Sequence, residues 1–337
     1  MPDIVIVGEA WGEHEERQRA PFVGPTGYEL TRMLSEAGIH RADCYITNCF
    51  NVRPRPTNDI DNLLQKERTD KPPVKAGKYL QPKYYPELER MYSEIRTVKP
   101  NLVLALGSTA TWALTGSSGI AKVRGTVTQA TVGVPGIKLL PTYHPTAVLR
   151  EWSLRPIVVL DFTKAKREAA FPELIRPKRT IYIEPSLADI EWFINEHLIH
   201  AEQITFDIET SGKQITCIGF APSPSIAISI PFCDPRQPNG SFWPTLEEEE
   251  MAWALVRRIL RLPQRKIAQN GLYDVTFLWL GYGITPVNYV EDTILLHHSL
   301  QPECEKSLGF LGSIYTNESS WKLMRVRGKE QTIKRDN

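Results

Sequence analysis

The chain has 337 residues, which is more than one ordinary hydrophobic core needs, so two domains are expected. Apolar residues make up 42% and charged residues 23% of the sequence, which is typical of a soluble globular protein. There is no apolar run long enough to cross a bilayer and no signal-peptide pattern, so neither a membrane partner nor secretion is expected. The net charge of +1 provides no overall basic field, so a nucleic acid would have to bind local patches such as Arg53 with Arg55.

The cysteines are odd in number and no two of them have CxxC spacing. This pattern argues against a zinc ribbon and against a disulfide framework. We therefore expect ordinary core thiols in a protein of the reducing cytoplasm. The five are Cys44, Cys49, Cys217, Cys233 and Cys304.

Apolar strands alternate with helical segments along the first half of the chain. Such alternation predicts a parallel sheet with helices on both faces. A polar segment rich in lysine and proline, residues 59–83, is expected to form a loop or an insertion. The predicted strands are residues 3–8, 44–50, 101–107 and 136–145, and the predicted helices are residues 26–38, 86–97 and 108–116, followed by closing helices.

The second half of the chain has a different order of elements. Residues 204–232 predict three consecutive strands, and helices are expected at residues 245–261, 271–280 and 291–299. Strands followed by helices favour a mixed sheet. We expect a first domain at residues 1–170, a linker at residues 171–180 and a second domain at residues 181–337.

Polar and aromatic residues cluster at the ends of the predicted strands in the first half. Glu9, Asn48 and His144 each follow a strand, and Phe22 lies in the loop after the first one. Strand ends are where open α/β sheets bind ligands, and this set can stack a flat ring and contact its edge. Singly, each residue has a simpler explanation, since Asn48 can cap a turn, His144 can be structural and Phe22 can belong to the core.

Four segments in residues 3–165 resemble the uracil-DNA glycosylase superfamily, in particular its families 4 and 5. GEAWGEHEERQRAPFVGPTG is similar to the first motif of the superfamily, and LPTYHPTAVLR is similar to the second. ITNCFNVRPRPTND and KPNLVLALGSTATWALTG resemble the base-reading segment and the central strand. The resemblance implies a three-layer αβα glycosylase domain that acts on DNA and flips a nucleotide out of the helix. We expect no cofactor in this domain.

The resemblance also implies roles for single residues. Phe22 would stack on the extruded uracil, and the amide of Asn48 would read its edge. His144 would stabilise negative charge on the departing base. Glu9 would assist the oxocarbenium-like sugar and position water, and Glu15 would line the pocket where a thymine methyl group would otherwise fit.

The end of the second motif would contact the DNA. Val148, Leu149 and Arg150 are expected to form a wedge that enters the duplex and holds a phosphate. Ala10 also belongs to the substrate pocket, and it stands where other branches of the superfamily place a water-activating aspartate.

The sequence departs from the family at several positions. Trp11 stands where proline is usual, and Arg19 stands where glycine is usual. Family 4 members often carry four cysteines that bind an iron–sulfur cluster, but Tyr84 occupies the place of one of them. No cysteine pair precedes Gly8 either, so we expect no cluster.

Four acidic residues of the second half form the other candidate site. Asp207 and Glu209 are two residues apart on a predicted strand, so they share one face, where a cation or solvent must compensate them. Asp274 and Asp292 lie at predicted helix starts, where the helix dipole alone can explain an acidic residue.

FDIET, NGLYD and EDTILLHHSLQPECEKSLGFLGSIYT resemble the proofreading 3′–5′ exonuclease domain of family A DNA polymerases. The resemblance covers residues 180–337 and implies a ribonuclease H-like mixed sheet. It also implies two Mg²⁺ or Mn²⁺ ions held by Asp207, Glu209 and Asp274, with Asp292 as a further candidate.

The third motif of that family is expected to follow residues 319–337, and the chain ends at Asn337, where that motif would come. We therefore expect an incomplete exonuclease domain with weak or no activity. The whole chain is expected to excise uracil from DNA and to work with a DNA polymerase or the replication machinery. The alternatives are an exonuclease with a uracil-sensing or DNA-binding first domain, and a binding module in which both sites are degenerate.

Overall fold

The computed structural model describes residues 1–318. They form two compact units, which divide the chain differently from the expected boundaries. The first unit comprises residues 1–176 together with the described residues from 309 onward, and the second comprises residues 177–308. Residues 319–337, which the third exonuclease motif is expected to follow, lie outside the described residues.

A five-stranded sheet forms the centre of the first unit, with the strand order β2-β1-β5-β7-β6. The first four strands are parallel and β6 is antiparallel to β7. Strands β3 and β4 pair separately within the polar segment that was expected to be a loop or an insertion. The strands are β1 (Ile4–Ala10), β2 (Cys44–Phe50), β3 (Leu64–Gln65), β4 (Tyr79–Leu80), β5 (Leu102–Leu106), β6 (Thr128–Gln129) and β7 (Lys138–Thr142).

Helices cover both faces of this sheet. In β1, Val5 and Val7 face one hydrophobic core and Ile4 and Ile6 face another, because side chains alternate along a strand. Residues of α3 and α4 complete the first core, and residues of α2 and α7 complete the second. The predicted three-layer αβα arrangement is confirmed. The helices are α1 (Glu13–Gln18), α2 (Pro25–Glu36), α3 (Tyr85–Val98), α4 (Gly107–Thr115), α5 (Ile120–Val123), α6 (Pro145–Arg150) and α7 (Arg155–Glu168).

The second unit contains a six-stranded mixed sheet in the order β13-β12-β9-β10-β11-β8. Strands β9, β10 and β11 form the predicted antiparallel meander, and β12 and β13 follow in parallel on the other side of β9. This is the strand order of a ribonuclease H-like sheet, with β8 added at one edge. The strands are β8 (Thr180–Ile183), β9 (Gln203–Ser211), β10 (Gln214–Ser223), β11 (Ile226–Pro231), β12 (Arg265–Ala268) and β13 (Tyr289–Asp292).

The predicted helices of the second unit are also present. They are α9 (Leu246–Arg261), α10 (Gly271–Tyr282) and α11 (Thr293–Leu300), and α8 (Leu187–Phe193), which continues into a π-helical turn, precedes them. Along β9, Phe206 and Ile208 are buried in the core, whereas Asp207 and Glu209 are exposed on the opposite face. The two carboxylates therefore share one face of the strand, as their spacing predicts.

Helix α12 (Leu308–Tyr315) begins at the boundary between the units, and from Gly309 onward the chain groups with the first unit. There, the buried Lys164 ammonium donates hydrogen bonds to the carbonyl oxygens of Gly125 at 2.7 Å and Ser313 at 2.8 Å. A cation suits the carbonyl-rich end of a helix. Burial lowers the pKa of Lys164 to about 8.

Among the helices of residues 1–318, none combines the length and the apolar character that a membrane span requires.

Candidate active site in the first unit

A cleft of about 920 Å³ opens at the carboxyl ends of the parallel strands of the first unit. It brings together four of the predicted site residues, namely Glu9, Phe22, Asn48 and His144. They come from four separate segments, which converge because the parallel strands all end at the same edge of the sheet.

Asn48 lies near the end of β2 and is only 2% exposed. Its backbone carbonyl accepts a hydrogen bond from Arg90 at 2.8 Å. Within residues 1–318 its side-chain amide makes no hydrogen bond, although it lines the cleft. The amide therefore keeps a donor and an acceptor group available to a ligand in the cleft.

Phe22 lies against the cleft. Its backbone φ of 53° is in the left-handed region, which residues other than glycine rarely adopt. Two charged residues hold this loop from opposite sides. The Glu15 carboxylate accepts the backbone N–H groups of Val23 and Gly24, both at 3.0 Å, and Arg41 donates to the Phe22 carbonyl oxygen at 2.9 Å. Strained backbone of this kind persists only where its surroundings fix it, and here it fixes the direction of the aromatic ring.

Glu15 therefore does more than line the pocket. Besides the two N–H groups after Phe22, its other carboxylate oxygen accepts the N–H of Gly12 at 3.1 Å. The side chain is buried and connects the loop before α1, at Gly12, to the loop after α1, at Val23 and Gly24. This geometry supports a role in placing Phe22, beside the role in methyl exclusion that the resemblance implies.

Gly8 allows the aromatic ring and the amide to meet. A Cβ atom at this position would lie 2.2 Å from Asn48 Oδ1 and 2.6 Å from the Phe22 ring. Such distances are not possible, so any larger residue would have to displace one of the two side chains. Gly8 is thus part of the shape of the pocket, although it has no functional group.

His144 caps α6 with its side chain, and this contact defines its protonation. The ring atom Nδ1 accepts the backbone N–H of Thr146 at 3.1 Å. An amide can only donate, so in the neutral ring the proton is on Nε2, which remains available as a donor. Burial lowers the pKa of His144 to about 4, so the ring is neutral at physiological pH. Its ring lies 5.6 Å from that of Phe22, centroid to centroid.

Glu9 lies at the end of β1 and accepts a hydrogen bond from the Thr109 hydroxyl of α4. Burial raises the pKa of Glu9, and the Thr109 hydrogen bond and the charge of Lys75 partly oppose this. Lys75 belongs to the polar insertion and also lines the cleft. The insertion thus contributes a cation to the site, which its composition alone did not predict.

The three residues expected to form the wedge have different surroundings. Val148 has no exposed surface and belongs to the hydrophobic core with α2 and α7, so a wedge role for this residue is wrong. Leu149 is 47% exposed and Arg150 is exposed at the cleft. Ala10 also lines the cleft, as expected.

The basic pair near the cleft is already neutralised. Arg55 contacts Glu16 at 2.8 Å, and Arg53 lies 3.7 Å from Glu13 and 3.6 Å from Glu16. The sequence suggested these arginines as a patch for nucleic acid, but their ion pairs leave little net positive charge there. Trp11, which stands where the family usually has proline, lines the cleft with its indole N–H buried and without a partner in residues 1–318.

Sequence reasoning missed Arg41, Arg90 and Thr109, which hold the predicted site residues from other elements. Arg41 is 19 residues from Phe22, and Arg90 is 42 residues from Asn48. No local spacing could have revealed such contacts. The one available signal was a charged residue on the inward face of a helix, as Arg90 is on α3.

The acidic residues of the second unit do not form a comparable site. Asp274 accepts the backbone N–H of Ile208 at 2.9 Å, and burial raises its pKa. Asp207 and Glu209 lie exposed on β9. Within the part of the chain that the structure describes, no three acidic, histidine or cysteine side chains are close enough to hold a metal ion.

Asp292 has a structural environment. Its two oxygens accept the backbone N–H groups of Asn270, Gly271 and Ile294 and the hydroxyl of Tyr289, at 2.8 to 2.9 Å. Burial raises the pKa of Asp292, but the three backbone hydrogen bonds outweigh it, so its pKa is lowered overall. With four donors on two oxygens, Asp292 stabilises the starts of α10 and α11 and has little capacity left for a metal ion.

A parallel sheet with a cleft at the carboxyl ends of its strands places the first unit in the class of α/β proteins that bind ligands at that edge of the sheet. Residues 1–175 match the uracil DNA glycosylase superfamily. The type-4 uracil-DNA glycosylase of Thermotoga maritima is 38% identical over 169 residues, which cover 48% of this chain and 76% of that protein. The enzyme of the same name from Archaeoglobus fulgidus is 32% identical over 167 residues, covering 48% and 74%. The chain belongs to the uracil DNA glycosylase superfamily.

The similarity to a third relative extends into the second unit. A DNA polymerase of Bacillus phage SP01 is 23% identical over 323 residues, which cover 87% of this chain and 32% of the polymerase. The exonuclease domain of Aedes aegypti Nibbler aligns with a TM-score of 0.33 and 14% identity, over 44% of this chain and 73% of that one. Because this TM-score is low, the ribonuclease H-like assignment depends on the strand order alone.

Proposed function

We infer that the first unit excises uracil from DNA by hydrolysing the bond between the base and its deoxyribose. The unpaired amide of Asn48, buried beside Phe22 and His144, is the observation that carries this inference. Membership of the superfamily and the names of the type-4 relatives support the choice of uracil and of DNA.

The cleft can bind a flipped pyrimidine by two complementary contacts. Phe22 offers a flat apolar face, which any base can stack on. The Asn48 amide offers one acceptor and one donor group, which match the N3–H and O4 edge of uracil and not that of cytosine. Specificity therefore depends on the amide, and affinity depends on both side chains.

The bond-breaking step produces two charges that the site can stabilise. As the bond from C1′ to N1 lengthens, the base gains negative charge and the sugar gains positive charge. The neutral His144 ring can donate its Nε2–H to an oxygen of the departing base. The Glu9 carboxylate can stabilise the sugar and orient the water that adds to C1′, which leaves an abasic site and free uracil.

A strand-cleavage assay tests this function. The full chain is incubated with an oligonucleotide that contains one uracil and then treated with alkali, which cleaves at abasic sites. We expect cleavage at the uracil, none in an oligonucleotide with thymine there, and a loss of about 10²-fold for Asn48→Ala. Asn195→Ala, which changes an exposed residue of the second unit, is the matched control. An unchanged rate in Asn48→Ala would contradict the assigned role.

We propose that the second unit is an exonuclease-type module that uses Mg²⁺ or Mn²⁺ only weakly, if residues 1–318 provide all its ligands. The strand order and the phage polymerase relative support the ancestry. Asp207, Glu209 and Asp274 are the residues that would hold metal ions, which would activate water and stabilise the leaving 3′ oxygen. Strong, Mn²⁺-dependent release of nucleotides from a labelled 3′ end would overturn this proposal.

An iron–sulfur cluster does not fit the first unit. A cluster of that kind is held by four thiolates, and residues 1–176 contain two cysteines, Cys44 and Cys49. Cys49 is fully buried in the hydrophobic core. We propose that the glycosylase unit works without a cluster, and iron analysis of the purified protein is the test.

DNA is the partner that the first unit requires, and we propose a DNA polymerase or the replication machinery as its setting, supported by the phage relative. We also propose a cytoplasmic location, supported by the free thiols of Cys44, Cys49, Cys217 and Cys233.

A further inference from the structure

The strand that carries Asn48 lies at the outer edge of its sheet. In the order β2-β1-β5-β7-β6, β2 pairs on one side with β1, and no strand of residues 1–318 lies on its other side. The outward backbone groups of an edge strand need other partners or water. The position of Asn48 therefore depends on whatever satisfies this edge.

Helix α3 contacts two backbone groups at the end of β2. Arg90 Nη2 donates to the carbonyl oxygen of Asn48 at 2.8 Å, and Glu87 Oε2 accepts the backbone N–H of Asn51 at 2.8 Å. The two side chains are three residues apart on one face of α3 and also pair with each other at 3.1 Å. Together they hold the backbone on both sides of Phe50, at the point where β2 ends at the cleft.

The Arg90 guanidinium is itself fixed. It donates to Glu94 at 2.8 Å and to the Thr47 hydroxyl at 3.1 Å, and the same hydroxyl donates to Glu94 at 2.7 Å. Because its fork is planar and rigid, a guanidinium held in this way also holds whatever else it contacts.

The site tolerates little movement of Asn48, since its Oδ1 already lies against the Cα of Gly8 on one side. We propose that Arg90 is a positioning residue for base recognition, which acts by holding the Asn48 backbone so that the amide faces uracil. This inference rests on the proposed function. It goes beyond it because Arg90 itself is not placed to read the base.

If Arg90 only stabilised the fold, its loss would lower the stability of the protein and would not affect uracil binding selectively. Helix α3 is already anchored in the core by Leu88, Met91, Tyr92 and Ile95. Loss of Arg90 should therefore leave the fold intact and affect uracil binding selectively. Arg96, which is also on α3 but contacts Glu89 and Gly133, is a matched control.

The experiment measures single-turnover excision and inhibition by free uracil, which reports base recognition without DNA. We expect Arg90→Gln to slow excision and to weaken uracil inhibition by about tenfold or more. Arg90→Lys should give values between those of Arg90→Gln and the wild type. Arg96→Gln should match the wild type. If Arg90→Gln fails to fold by circular dichroism, Arg90→Lys carries the test, because it keeps the charge and loses the fork.

A double-mutant cycle separates the two explanations. If Arg90 acts through Asn48, adding Arg90→Gln to Asn48→Ala should not weaken uracil inhibition further. Effects that multiply would overturn the proposal, as would unchanged inhibition in Arg90→Gln. If the wild type does not excise uracil at all, the proposed function fails instead, so the two failures are distinguishable.

Discussion

Both units place carboxylates and other polar groups at the ends of buried strands, but they use them in opposite ways. In the first unit, charged residues such as Glu15 and Arg41 hold the backbone, and Asn48 is left unpaired in the cleft. In the second unit, the carboxylate of Asp292 already accepts three backbone N–H groups and the Tyr289 hydroxyl. The difference shows that a motif in the right order forms a site only if its polar groups stay available to bind a ligand.

The largest effect is expected when the hydrogen-bond donor of His144 is removed from the first unit. His144→Ala should lower the uracil excision rate by about 10²–10³-fold, because the negative charge on the base loses its hydrogen bond. His40→Ala, which changes an exposed residue, should have no effect. The measurement is single-turnover excision. A comparable loss of activity in both variants would contradict a specific role of His144 in excision.

Next in size is a change that adds atoms and removes no functional group. Gly8→Ala should reduce excision by about 10²-fold, because the new methyl group must displace Asn48 or Phe22. Gly281→Ala in α10 is the control, since a Cβ there meets nothing within 4 Å. Wild-type rates in Gly8→Ala would mean that the pocket is looser than the structure indicates.

In the second unit, we expect the substitution of Asp292 to change the stability of the protein and not its activity. Asp292→Asn should destabilise the protein by about 2–3 kcal/mol, since an amide can accept fewer of the four hydrogen bonds. Asp207→Asn, at an exposed position, should change stability by about 0.5 kcal/mol or less. Denaturant unfolding gives both values, and uracil excision by either variant should stay near that of the wild type. Equal stability in the two variants would remove the structural role assigned to Asp292.

The smallest expected effect is an absence of titration. Because the pKa of His144 is lowered to about 4, excision should show no inflection from this residue between about pH 6 and 8. The folded state prefers the neutral ring, so its contribution to stability is complete above about pH 6.5 and is lost as pH falls toward 4. An NMR titration of the imidazole is the direct check, and a pKa near 6.5 would contradict the expected absence of an inflection from His144.

The sequence predicted those parts of the fold in which a local pattern has one physical solution. The alternation of Phe206, Asp207, Ile208 and Glu209 defines both faces of β9. By contrast, β8 (Thr180–Ile183), which begins where the expected linker ends, was not predicted, because its side chains are mostly exposed and its four residues carry little alternation. The short strands β12 and β13 were not predicted, since only pairing with β9 and with each other makes them strands.

The same division applies to the site. Asn48 and His144 could be proposed because strand ends of a parallel sheet converge. Arg90, Arg41 and the steric role of Gly8 could not, because each depends on a residue distant in sequence that only the folded chain brings near. Val148 was misassigned because its position in a surface helix could not show that it points into the core.

The grouping of α12 with the first unit has a consequence for how the protein is made. The ribosome completes all of residues 177–308 before it synthesises Ser313 and Thr316, whose carbonyl oxygens accept hydrogen bonds from Lys164. Until then, Lys164 lacks two of its three carbonyl acceptors, and its ammonium group must stay hydrated. The glycosylase unit therefore cannot mature fully during its own synthesis, and a fragment cut at residue 176 should emerge less heat-resistant than the same unit within the whole chain.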